Sequence, residues 1–209
     1  SELSYLLYYA STRRVKLEKV GHFLRKKNEA DVYRNRTGNV QVTLEIINSL
    51  IKRCPDDLNV FAQDVNAILT ATLKTKDLSL CQHAQPVFET YCETLDGELF
   101  TGDLEFVHNF TTLSETFLNL GLDVSEANTI EWRAISFKAA GSIAHCKNVN
   151  QNNNLLYIVK AALALICSEI QQDFNEENHL KRSLSHNSDA QQYPIDGRPY
   201  DLARFNTAR

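Results

Sequence analysis

The sequence has no methionine, only seven glycines and four prolines in 209 residues, and no pair of cysteines spaced C-x-x-C. Each scarcity removes a class of protein. An all-β chain needs many turns, and turns favour Gly and Pro, so long helices with short connections are expected. The five cysteines, at positions 54, 81, 92, 146 and 167, are odd in number and lack metal-ligand spacing. They read as buried free thiols rather than a disulfide framework or a zinc site. Phosphate-cradling loops, a G-x-S-x-G elbow, G-x-G-x-x-G and H-E-x-x-H are all missing. His145 and Cys146 are adjacent, which on a helix turns them about 100° apart, poor geometry for a nucleophile and its base. No catalytic residue, metal ligand or cofactor is expected. SELSYLLYY has neither a charged leader nor a small-residue cleavage site, so no signal peptide is read there. With no methionine at residue 1, the chain reads as a piece of a longer protein.

The hydrophobic fraction of 43% is enough for a sizeable core, and its spacing is helical nearly throughout. Leu17, Val20 and Leu24 form one stripe, with Ser11 or Thr12 as the expected cap. Val40, Leu44, Ile47 and Ile51 form a second, closed by Pro55. Leu58, Phe61, Val65 and Ile68 form a third, capped by Asp56 or Asp57. A fourth helix runs from Leu78 to Leu95 after Asp77, with a kink or break expected at Pro86. Phe106, Phe110, Leu113 and Phe117 follow; Thr101 or Asp103 opens that helix and Gly121 is expected to end it in the left-handed conformation. Ile130, Ala134, Phe137, Gly141 and Ala144 make a sixth stripe, with Trp132 off it and placed to fill a groove between helix pairs. The longest apolar stretch, Leu155 to Cys167, is interrupted by Lys160 and is shorter than the roughly 20 residues a bilayer span needs. It reads as a helix buried on more than one side, extending to Ile170.

Helix starts recur about every 20 residues, giving pairs near the period of HEAT and armadillo repeats. The expected fold is all-α, a right-handed stack of antiparallel helix pairs, with a plain helical bundle as the rival. Residues 1–172 are assigned to this repeat segment. Residues 173–209 are polar and read as a loop or flexible tail, with a possible short helix at 200–205.

Charge is the feature that a core does not explain. From Arg13 to Arg36 there are nine Lys or Arg against three acids, a net of +6, while the other residues carry −10. Arg13, Arg14, Lys16, Lys19, Arg25, Lys26 and Lys27 are therefore the candidate site. Glu18 is the only acid between residues 11 and 27, so these cations do not read as salt-bridge partners. With a net charge of −4 overall, nucleic acid is a poor match. An acidic protein tail and an anionic membrane surface remain; the lipid of the cytoplasmic leaflet attracts clustered Lys and Arg by about 1 kcal/mol each.

SYLLYYASTRRVKLEKVGHFL, GNVQVTLEI (38–46), LNVFAQD (58–64) and GDLEFV (102–107) together resemble the fungal "eighty-five requiring three" proteins, related to animal Rolling blackout. The resemblance covers about residues 4 to 110. It implies a non-enzymatic scaffold of armadillo- or HEAT-like repeats, peripheral to the cytoplasmic face of the plasma membrane. It also implies recruitment of the type III phosphatidylinositol 4-kinase complex, with the adaptor contact outside this stretch. The basic surface at Arg13 to Lys27 would be the membrane contact. The alternative function is an armadillo-type adaptor that binds peptide or protein in a groove without touching membrane.

Overall fold

The computed structural model describes residues 2–122, 127–147 and 153–189, and among these there is no strand. The helices are α1 (Glu2–Ser11), α2 (Arg14–Tyr33), α3 (Thr37–Arg53), α4 (Leu58–Leu73), α5 (Leu78–Thr94), α6 (Gly97–Gly102), α7 (Leu104–Asn119), α8 (Thr129–His145) and α9 (Asn153–Asp189). The 3-10 turn Pro55–Asp57 joins α3 to α4. α2 packs on α4 and α4 on α7; α3 packs on α5 and α5 on α8. The pairs α2/α3, α4/α5 and α7/α8 thus stack in two layers, an all-α helical repeat. α1 covers the α2/α3 end.

Burial follows the apolar period. Leu17 and Leu24, Val40 to Ile51, Leu58 to Ile68, and Phe106, Phe110, Leu113 and Phe117 are all inside. Each large side chain so buried contributes about 1.5–3 kcal/mol. Asp77 and Asp103 cap α5 and α7, accepting from the Leu80 and Phe106 amides at 2.9 Å. α5 continues through Pro86, so the expected break does not occur. Residues on both sides of the proline, from Leu80 and Ala84 to Phe88 and Tyr91, are buried in the core.

Other expectations are corrected. Ser11 and Thr12 do not cap α2; their hydroxyls donate back to the Tyr8 and Tyr9 carbonyls and close α1, a helix that the apolar stripes did not mark. α6 was likewise unmarked. Asp57 precedes α4 without capping it through its side chain. Gly121 is not left-handed; it is a point of close approach, where a Cβ would lie 2.8 Å from Ser136 Oγ. The α8 stripe is inverted. Ile130 is 81% and Phe137 38% exposed, while Ile135, Ser136, Ala139 and Ile143 face inward. Small residues let α8 approach α7 closely, and Ser136 satisfies its hydroxyl on the Phe117 carbonyl at 3.0 Å.

The chain falls into two compact units, Ser1–Cys167 and Ser168–Arg209, which part five residues before the expected boundary. In the first unit Leu155, Val159, Ala162 and Ile166 of α9 are buried, but Tyr157 and Leu165 are exposed, so α9 is covered on one side only. By length and composition alone, residues 154–185 could cross a membrane. In the second unit, residues 173–189, expected as loop or tail, continue α9, and Phe174, Leu180 and Leu184 are exposed. The expected helix at 200–205 lies outside the described residues.

Candidate functional site

α2 begins at Arg14 with no side-chain cap and runs 20 residues, presenting its apolar side to α3 and α4. Gly21 sets the distance to α4: a Cβ there would lie 2.9 Å from Phe61 Cβ and 3.0 Å from Asp64 Oδ2. The contact is partly polar. Asn28, fully buried, donates to the Ile68 carbonyl at 3.3 Å. Asp64 is mostly buried, and burial pushes its carboxyl above the usual range, opposed by the charges of Arg25 and His22.

The seven candidate cations separate into two sets. Arg14 pairs with Asp57 at 3.1 Å and donates to Asn59 Oδ1 at 3.0 Å, pinning the start of α2 to the start of α4. Arg25 lies 3.1 Å from Glu29 and 3.9 Å from Asp64. Lys26 reaches Glu29 at 3.3 Å. Lys27 reaches Asp31 at 2.7 Å. The expectation that these cations are not salt-bridge partners therefore fails for four of the seven. The acids come from one turn further along α2 and from the neighbourhood of α4, beyond the window in which Glu18 stands alone.

Asp31 gathers the corner between α2 and α3. It accepts from Lys27, from Asn39 Nδ2 at 3.2 Å, and faces Arg36 at 3.8 Å. The Lys27 hydrogen bond holds its carboxyl below the usual range despite burial, with Asn39 and Arg36 adding to the effect. Glu29 is also lowered, first by the Arg25 hydrogen bond and then by Lys26.

Arg13, Lys16 and Lys19 pair with no carboxylate among the described residues. Arg13 and Lys19 are exposed. The Lys16 ammonium donates to Thr12 Oγ1 at 3.3 Å and lies 4.3 Å from the Tyr9 ring centroid, a cation–π contact across the α1–α2 junction. Arg34, outside the candidate set, is also exposed and without a carboxylate partner among the described residues. Sequence reasoning also missed the side chains around the trio. Tyr5, Tyr8, Val15 and Phe23 are exposed. The doubled tyrosine in SYLLYY beside the basic run is the signal that could have found them.

Elsewhere the side chains do other work. His145 bonds the Gly141 carbonyl at 2.8 Å, and Cys146 Sγ reaches the Lys147 carbonyl at 3.9 Å, so the two are turned to backbone. All five cysteines are free; four are buried and Cys167 is exposed, an exception to the expected burial. Burial pushes the Cys81 thiol up to about 12 and the Cys92 thiol well above its ordinary value. Two clefts are of note. One, of about 300 Å³, is lined by Leu73, Lys74, Leu120 and Trp132, so the Trp132 side chain forms a wall of the cleft and does not fill it. The other, of about 500 Å³, runs along α2, α4 and α7 and includes Gln63, Asn66, Thr70 and Asn109.

Protein EFR3 of Candida albicans is 54% identical over 150 residues, covering 72% of this chain and 16% of that protein. Protein EFR3 of Debaryomyces hansenii is 45% identical over 86% of this chain, and that of Yarrowia lipolytica 42% over 88%. This chain spans 20% and 22% of those two proteins. A crystal structure of Efr3 superposes with a TM-score of 0.72 at 31% identity, covering 84% of this chain and 32% of that one. A family model described as EFR3 protein matches residues 1–198, and the chain belongs to the EFR3 family.

Proposed function

We propose that this chain is a membrane-contacting segment of a non-enzymatic peripheral scaffold at the cytoplasmic face of the plasma membrane. Anionic lipid is held by Arg13, Lys16 and Lys19, and the whole protein helps to recruit a phosphatidylinositol 4-kinase complex through residues outside this stretch. The observation that carries the reading is a trio of cations without carboxylates among the described residues, running from the α1–α2 junction into the second turn of α2, in a chain whose net charge is −4. Membership of the EFR3 family supports the scaffold role. At about 1 kcal/mol per cation, three cations give roughly 3 kcal/mol, a reversible hold. Arg14, Arg25, Lys26 and Lys27 lie on the same helix but are each offset by a carboxylate, so they contribute less.

Vesicle sedimentation tests this. Binding is expected to require phosphatidylserine or phosphoinositide and to fall as salt rises. Changing Arg13, Lys16 and Lys19 together to Glu is expected to abolish it. Equal binding to neutral vesicles, or no loss in the triple variant, would overturn the reading.

A peptide-binding reading has one observation in its favour. Asn66, in the 500 Å³ groove, is buried with neither amide atom hydrogen-bonded, and a carboxamide can pair with a peptide backbone. Pull-down of an acidic or polar peptide that is lost in Asn66→Ala, while vesicle binding persists, would support it.

A further inference from the structure

Between residues 43 and 103 no large hydrophobic side chain is exposed, whereas the first 23 residues leave Leu3, Tyr5, Tyr8, Tyr9, Val15 and Phe23 exposed. Tyr5 is 73% and Tyr8 64% exposed, and both lie opposite the α1 face that carries Leu6, Leu7 and Ala10 to the core. They follow each other within one turn and precede Arg13, Lys16 and Lys19 by between five and fourteen residues. Lys16 on the Tyr9 ring ties the two features into one surface. Packing does not explain this placement, because α1 already buries its other side.

Resting on the lipid-binding reading, we infer that α1 is an interfacial helix, whose Tyr5 and Tyr8 rings enter the headgroup layer of an anionic bilayer while the adjoining cations hold phosphates. The occupant follows from charge and chemistry together. The cations call for anionic groups, and tyrosine rings with an apolar body and a polar tip partition to the membrane–water boundary. α1 packs on α2 and α3 through Leu6, Leu7 and Ala10, so with that face held by the protein only its Tyr5 and Tyr8 side is offered to a bilayer and α1 lies along the surface. Attachment therefore has two parts: an electrostatic one that salt removes, and an apolar one that salt leaves in place.

The test uses the full chain with phosphatidylserine vesicles carrying brominated acyl chains. In Tyr8→Trp the new tryptophan is expected to be quenched, while Trp132 of the unchanged chain, packed against the core, is not. The pair Tyr5→Ser and Tyr8→Ser is expected to bind about tenfold more weakly at raised salt. The pair Tyr5→Phe and Tyr8→Phe restores binding, and all variants keep the parent thermal midpoint. Unquenched tryptophan at position 8, or undiminished binding of the serine pair, overturns the insertion while leaving salt-sensitive attachment intact. No binding of the parent chain to anionic vesicles overturns the lipid reading itself and this inference with it. If the serine pair instead converts a dimer to a monomer in sedimentation velocity without weakening lipid binding, the rings are a self-association face and the inference falls.

Discussion

Phenylalanines and tyrosines meet opposite fates at two places in the first unit. Around α5 to α7, Phe110 sits within 6.0 Å of Phe88, Tyr91, Phe100 and Phe106, ring centre to ring centre, and is wholly buried. At α1 and the start of α2, Tyr5, Tyr8 and Phe23 stand in solvent. The polar groups are reversed as well. Among the rings clustered at α5 to α7 the one polar atom is the Tyr91 hydroxyl, which donates to the Ala62 carbonyl at 3.0 Å. The α2–α4 contact instead takes in Asn28, Asp64 and Arg25. The difference teaches that one region supplies cohesion, and the other sets a spacing and displays charge.

The comparison breaks most visibly at Phe110. Phe110→Ala is expected to cost about 3–5 kcal/mol, read as a fall in denaturant midpoint, because four rings lose a shared neighbour. At the other end, neutralising Arg13, Lys16 and Lys19 to Gln is expected to lower binding to anionic vesicles by about 3 kcal/mol while leaving the thermal midpoint unchanged. Neutralising Arg14 and Lys26 should do less to binding, since carboxylates already offset them. Gly21→Ala falls between the regions. A methyl group pressed against Phe61 should cost about 1–3 kcal/mol in thermal or chemical unfolding.

The smallest effects sharpen the comparison through pH. Asp31 sits below its ordinary value of 3.8, so its stabilisation is present above that pH and is lost as pH falls through the lower folded value. Asp31→Asn should therefore be less stable at neutral pH, with the gap to the parent closing in acid. Asp64 is raised above 3.8, so its ionisation in the folded chain is unfavourable, and that penalty grows as pH rises through the folded value. Asp64→Asn should gain stability at neutral pH, and the gain should vanish below 3.8, where the parent is protonated in both states. Unfolding curves at several pH values would read both.

The repeat was legible because α3, α4, α5 and α7 bury the residues that recur at three and four, and their connections are too short for other arrangements. α8 was misread because hydrophobicity was taken to mark the inner face. There the inner face is chosen by close approach, so Ser136 and Ala139 go inside while Ile130 stays out. α9 was shortened because Asn, Glu and Ser between 175 and 189 look like a loop, yet no proline or glycine interrupts them. Which members of the basic run are left without a carboxylate is a property of three dimensions. Asp57 and Asp64 lie more than thirty residues away in sequence and beside Arg14 and Arg25 in space.

Because α2 is one stiff element from Arg14 to Tyr33, its contact with Phe61 acts as a fulcrum. A few tenths of an ångström added at that point would tilt the neighbouring stretch that bears Lys16 and Lys19. An uncharged alteration deep in the protein would thereby change which outward groups reach a flat target at the same moment. On the proposed lipid-binding reading, variation that leaves every exposed cation in place is thus able to weaken attachment.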